Sequence, residues 1–277
     1  MLKELFANQL ALGCGQAAVV TLLALTVMLL ARQRKIHLER ETIVALIRGI
    51  VQITSVGSIL VLLLRGPAWT SIFLLTGMIL AAAGMSAGRS KGMPKSFQVS
   101  LYAIGAGAGS VIALMTWAGV IDTRITSLVP IGSMLIANAM NTNSLAMNRF
   151  RSEVESHAGL IETGLALGSE SKQTVVPYVQ ISVQASLIPA IDSLRSLGIV
   201  WIPGLMAGML LSGASPIYAA IYQFVTISMI FSSSGLTALI CSLLIRSAAF
   251  SPAEQLTLRP LPVLARPVGR SLTLDAS

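Results

Sequence analysis

The chain has 277 residues, of which 54% are hydrophobic and 11% charged, and its mean hydropathy is +0.79. Soluble domains carry about 25% charged residues, so the composition excludes a soluble enzyme, a wholly disordered chain and a nucleic-acid module. The net charge of +8 sits in short blocks between long apolar runs, the pattern of loops at a membrane surface rather than of a basic patch for nucleic acid.

The first apolar run, 10–31, is longer than the apolar core of a signal peptide and is followed at once by Arg32, Arg34 and Lys35. It reads as a retained membrane span. Cys14 and Cys241 lie far apart inside apolar runs and offer neither a disulfide framework nor a zinc site. Further runs near the ~20 residues needed to cross a bilayer recur at 43–64, 68–88, 97–119 and 128–147. A polar stretch, 149–174, interrupts them. A mixed segment, 175–213, follows with Pro177, Pro189, Asp192, Arg195 and Pro203, and its second half, 196–213, is expected to be the sixth span. The seventh is expected over 217–246. Residues 1–247 thus read as a single transmembrane domain. The Pro-rich remainder, 248–277, has no periodic apolar face and reads as a disordered tail.

Fourteen of the 19 Lys and Arg fall in one alternating set of loops and three in the other. The richer side is cytoplasmic by the positive-inside rule. This predicts an all-α polytopic helix bundle of about seven spans, with the N-terminus outside and the C-terminus inside. The loops on the outer side are short, so any large partner other than the lipid bilayer is expected on the cytoplasmic side.

Within the polar stretch, 155–168 has apolar residues at Leu160, Ile161, Leu165 and Leu167, and Gly168 suits a helix end. An amphipathic helix here fits either rest on lipid or docking on a partner. In the second span, Arg48 and Gln52 share one helical face. An arginine in an apolar span is costly unless paired or wet, so the pair either lines a transport path or ties two helices together. Asp192 and Arg195, three apart, are expected to brace the joint between the cytoplasmic helix and the sixth span, together with Pro203 and Gly204. The fifth span holds Asn138, Asn141 and Asn143 with Met134, Met140 and Met147. Met134, Asn138 and Met140 are pathway candidates, although methionine is more often core filler. Ser232, Ser233 and Ser234 are expected to bond back to their own helix. Gly105 and Gly109, in GxxxG spacing, are expected to form a helix-packing face. No GxxxxGK[ST] loop and no HExxH occur, so the chain carries no ATPase motif of its own and no intramembrane protease pattern. No catalytic, cofactor-binding or metal-ligating set emerges.

Glu162-Thr-Gly164, with Gly168 four residues later, resembles the coupling loop of ABC-transporter permeases, with Thr163 and Gly164 where two alanines are common. Three blocks extend the resemblance over about residues 15–245: Arg48-Gly-Ile-Val-Gln52-Ile-Thr-Ser-Val-Gly57, Pro130-Ile-Gly-Ser-Met134-Leu-Ile-Ala-Asn138-Ala-Met140, and Ser193-Leu-Arg195-Ser-Leu-Gly198 continuing to Pro203-Gly204-Leu-Met206-Ala-Gly208. Together they resemble the Fet-type iron-export permease family, which also contains plant aluminium-tolerance permeases associated with UDP-glucose. The resemblance implies a homodimeric permease, driven by a separate ATP-binding subunit that holds the ATP and grips the helix at Glu162, Gly164 and Gly168. The cargo is then iron or another metal ion, or else a nucleotide sugar, and the expected location is a bacterial inner membrane or an organellar one. A self-contained channel or ion-coupled carrier, or a membrane scaffold, are the readings outside that family.

Overall fold

The structure, a computed structural model, describes residues 9–33, 39–63, 69–90, 92–251 and 253–258. The chain divides into two compact units, 1–67 and 68–277.

The first unit is a pair of helices, α1 (Gln9–Gln33) and α2 (Glu39–Leu63), with apolar stretches at Gly15–Leu30 and Thr42–Ser58. Their few hydroxyls are hidden by back-bonding to carbonyls four residues earlier, as Thr21 to Ala17, Thr54 to Ile50 and Ser55 to Val51. That lets a polar side chain sit in an apolar helix without an orphaned hydrogen. Arg48 and Gln52 are both exposed on α2.

The second unit opens with α3 (Thr70–Arg89), α4 (Ser96–Trp117) and α5 (Ile125–Ser156). Two small helices follow, α6 (Ala158–Ala166) and α7 (Ser171–Thr174). The chain then rises through α8 (Val176–Ser196), turns back through the short α9 (Gly204–Leu211) and ends with α10 (Pro216–Ala248). α3, α4 and α10 are long and apolar enough to cross a membrane. Among the described residues the regular secondary structure is helical, with two isolated bridges, Leu197 to Trp201 and Phe250 to Leu256. The fold is a membrane helix bundle.

Trp69, Trp117 and Trp201, all the tryptophans of the chain, are exposed at one end of this unit, where α3 begins, α4 stops and α8 has just ended. Arg89, Lys95, Arg149, Arg151, Lys172 and Arg246 gather at the other. These are the tryptophan end and the cationic end. Indole rings favour the membrane–water interface and basic residues its cytoplasmic side, so composition orients the bundle.

Two buried clusters fill the unit. One, toward the tryptophan end, holds Leu75, Ile104, Ile112, Leu135, Ile136 and Ile230. The other, toward the cationic end, holds Met147, Phe150, Val154, Ile161, Val175 and Ile245. A polar knot ties three helices: the Asn143 amide donates to Ser86 and Ser100, both at 2.9 Å, and the Ser86 and Ser144 hydroxyls share a further bond. Close helix contact comes from Gly107, where a Cβ would overlap Thr237 of α10, and from Gly132, where it would meet Leu75 of α3 at 2.7 Å. The expected Gly105 and Gly109 pair does not do this. Gly105 has only Ile79 within reach, at 3.8 Å, and Gly109 faces open space.

The sixth span is also displaced from its expected place. The long helix of this region is α8, 176–196, rather than 196–213, because Pro177 starts a helix well at its first turn while Gly198 (φ +79°) and Pro203 break the chain afterwards. Asp192 and Arg195 therefore lie at the tryptophan end of α8, not at the cytoplasmic joint. They are mostly exposed and 3.9 Å apart, a pair that adds little to stability. Residues 253–258 of the expected tail pack on the bundle. Leu256 and Leu258 are buried in the cationic-end cluster, and Thr257 closes a turn onto Ala249. Residues 259–277 lie outside the described residues.

Candidate functional site

α5 has 32 residues, about 48 Å at 1.5 Å per residue, so it runs on past the membrane at the cationic end. Its last turns are held by spaced charges: Arg149 to Glu153 at 2.8 Å and Arg151 to Glu155 at 2.6 Å. Both are i,i+4 pairs of the kind that steady an exposed helix. A single residue, His157, separates α5 from α6 (φ −115°, ψ 20°). Its Nδ1 lies 2.9 Å from the Glu153 carbonyl, and its ring stacks on Tyr178 of α8 at 4.9 Å. The joint between α5 and α6 is thus pinned to the start of α8.

α6 presents two faces. Ile161 is wholly buried and Leu165 packs beside it against the cationic-end cluster, so one face belongs to the core. Leu160 and Leu167 are 67% and 82% exposed, and with Thr163 they form the opposite face, turned away from the bundle. Exposed apolar side chains on a short helix at the cationic end suit contact with either lipid or a partner. Glu162 is exposed beside them.

The helix stops in a six-residue hydrogen-bonded turn. The Ser169 N–H donates to the Gly164 carbonyl and the Gly168 N–H to that of Leu165. Gly168 adopts φ +87°, which side chains resist. Gly164 lets α7 approach: a Cβ there would lie 3.3 Å from Thr174. Glu170 then steadies α7, accepting from Gln173 Nε2 at 2.8 Å and from Thr174 through its carbonyl. Arg246 at the end of α10 donates to the Lys172 carbonyl at 3.3 Å. The structure therefore brings Glu162, Gly164 and Gly168 onto one small platform. The parts that fix it, Ile161, His157 with Tyr178, and Arg246, are not apparent in the motif.

The α5 pathway candidates, Met134, Asn138 and Met140, each have a separate place in the bundle. Asn138 is half-buried on α5 and spends its amide on the Met134 carbonyl, at 2.9 Å. Met134 packs against the core, and Met140 is buried inside it, so Met140 faces the bundle interior rather than an open wall. Asn141 is exposed and accepts from Arg89 at 2.9 Å. Ser232 back-bonds to Ser228 as expected. Ser233 instead reaches the Leu135 carbonyl at 3.4 Å, and Ser234 is buried without a partner. No group of three or more His, Cys, Asp or Glu stands ready for a metal ion among the described residues.

Residues 14–250 match the family described as "Uncharacterised protein family (UPF0014)". The chain belongs to the UPF0014 family. It is 29% identical over 245 residues to the Escherichia coli protein named "Probable iron export permease protein FetB", covering 88% of this chain and 95% of that one. The UPF0014 membrane protein YjkA of Bacillus subtilis is 30% identical over 244 residues, covering 86% and 96%. The rice UPF0014 membrane protein STAR2 is 29% identical over 240 residues, covering 86% and 84%. No solved structure matches the chain. Family and apolar helices together make it an integral membrane protein of a permease-like class.

Proposed function

We propose that this chain is the transmembrane subunit of an ABC exporter, working as a homodimer with two copies of a separate ATP-binding subunit, in a bacterial inner membrane. The observation that carries this is the platform of α6. Its Leu160–Thr163–Leu167 face points away from the bundle, while Ile161 locks the other face into the core. Leucines left exposed beside Glu162 at the cationic end suit docking on a cytoplasmic partner. The chain lacks a phosphate-binding loop, so the ATP belongs to the partner. ATP binding would draw the two partners together, and α6 would pass the motion through the one-residue joint into α5 and, through Tyr178, into α8. The pathway would lie between two copies, with α5 and α8 among its walls. Following the name of the Escherichia coli relative, the proposed cargo is iron or another metal ion.

The test is Glu162→Lys or Gly168→Asp in the reconstituted complex. Each is expected to leave insertion intact while ATP hydrolysis loses its link to transport. Unchanged transport in both variants would refute the coupling role.

A further inference from the structure

At the cationic end, α4 and α10 leave a groove between them of about 200 Å³. Lys95, Gln98 and Tyr102 line it from the side of α4, and Leu244, Ser247 and Ala248 from α10. Both helices are long and apolar enough to cross the membrane. The groove therefore lies where two spans meet the cytoplasmic interface.

Lys95, Gln98 and Tyr102 are spaced three and four residues apart, so they share one face at the start of α4. Helical side chains lean toward the N-terminus, which turns Gln98 and Tyr102 back toward Lys95. All three are exposed, and none has a side-chain partner among the described residues. The arginines of this end are otherwise engaged: Arg89 donates to Asn141, Arg149 and Arg151 pair with glutamates, and Arg246 donates to the Lys172 carbonyl. No carboxylate lines the groove, and Ser247 spends its hydroxyl on the Leu244 carbonyl at 2.9 Å. An ammonium, an amide and a phenol hydroxyl thus meet there with no acceptor. Below them, Leu243 and Leu239 continue the line of Ser247 one turn at a time toward the membrane interior, 66% and 56% exposed.

We propose that this groove binds the headgroup of an anionic phospholipid of the cytoplasmic leaflet. Lys95 pairs with the phosphodiester, Gln98 and Tyr102 donate to its oxygens, and an acyl chain runs down Leu243 and Leu239. Charge complementarity selects an anion, and basic pockets between membrane helices on the cytoplasmic side take such headgroups. The apolar strip directly below the donors selects a lipid over free phosphate or an acidic peptide. No residue of α6 lines the groove, so the site needs no ATP-binding partner.

Native mass spectrometry of the full chain in a neutral detergent, titrated with phosphatidylglycerol and with phosphatidylcholine, reads the affinity for the first lipid bound. Phosphatidylglycerol is expected to bind about fivefold more tightly, the worth of one lysine facing an anionic headgroup. Lys95→Gly should lose about that factor. Glycine takes the φ of +54° at this position freely, so the variant keeps the fold. Tyr102→Phe should weaken binding severalfold by removing one donor to a charged oxygen. Lys172→Gln removes a charge at the same end but outside the groove, and should leave the affinity unchanged. Equal affinity for the two lipids, wild-type binding in Lys95→Gly or in Tyr102→Phe, or a loss in Lys172→Gln as large as in Lys95→Gly would each overturn the proposal. So would displacement of the lipid by an equal concentration of sodium phosphate, which would make the groove a site for the free anion.

Discussion

Gly107 and Gly109 stand two residues apart on α4 and meet opposite surroundings. A methyl at Gly107 runs into Thr237 of α10, whereas one at Gly109 finds nothing within 4 Å. Gly107→Ala is therefore expected to destabilise the bundle by about 1–3 kcal/mol through overpacking. Gly109→Ala should be neutral or gain up to about 1 kcal/mol from reduced backbone freedom. Thermal unfolding in nanodiscs separates the two, and equal effects would contradict the helix contact. Asn143 offers a second test. Asn143→Ala leaves Ser86 and Ser100 buried without their shared donor. It should cost about 1–3 kcal/mol, read as a lower unfolding midpoint. The sequence shows that small residues crowd α4 and amides crowd α5. It does not show which of them meet a neighbour, because that depends on helix rotation, which the uniformly apolar surroundings leave unmarked.

At the scale of elements, α6 is the part whose sequence says most. Gly168 ends it as its type suggests, at φ +87°, and Glu162 and Gly164 lie on the same platform. Gly168→Ala should cost about 1–2 kcal/mol of local stability, seen as faster amide exchange over α6 with the long helices unchanged. Leu160→Asp with Leu167→Asp should abolish partner binding without lowering the unfolding midpoint, since both side chains are exposed; a drop in the midpoint would place them in the core instead. Among the described residues, six of the seven long helices lie where apolar length places them. The sixth does not, because Pro177 and Pro189 read as interruptions although one starts α8 and the other lies inside it. The return through α9 hides in the same way: an apolar octapeptide looks like span, and only the buried amide of Gln223 betrays its start.

For the whole molecule, the tryptophans at one end and the basic residues at the other repeat in three dimensions the asymmetry that the loops carry in one. Arg48→Ala, on the exposed face of α2, should alter transport more than expression if that face lines the path; a pure loss of protein would make Arg48 a structural tie. The central claim is that an ATP-hydrolysing partner grips α6. The most direct measurement is ATP-dependent cargo movement in vesicles, with this chain reconstituted with and without the ATP-binding subunit. The account predicts uphill transport only when both are present, and its loss in the Leu160→Asp, Leu167→Asp variant. Uphill transport by this chain alone, or undiminished transport by that variant, would contradict it.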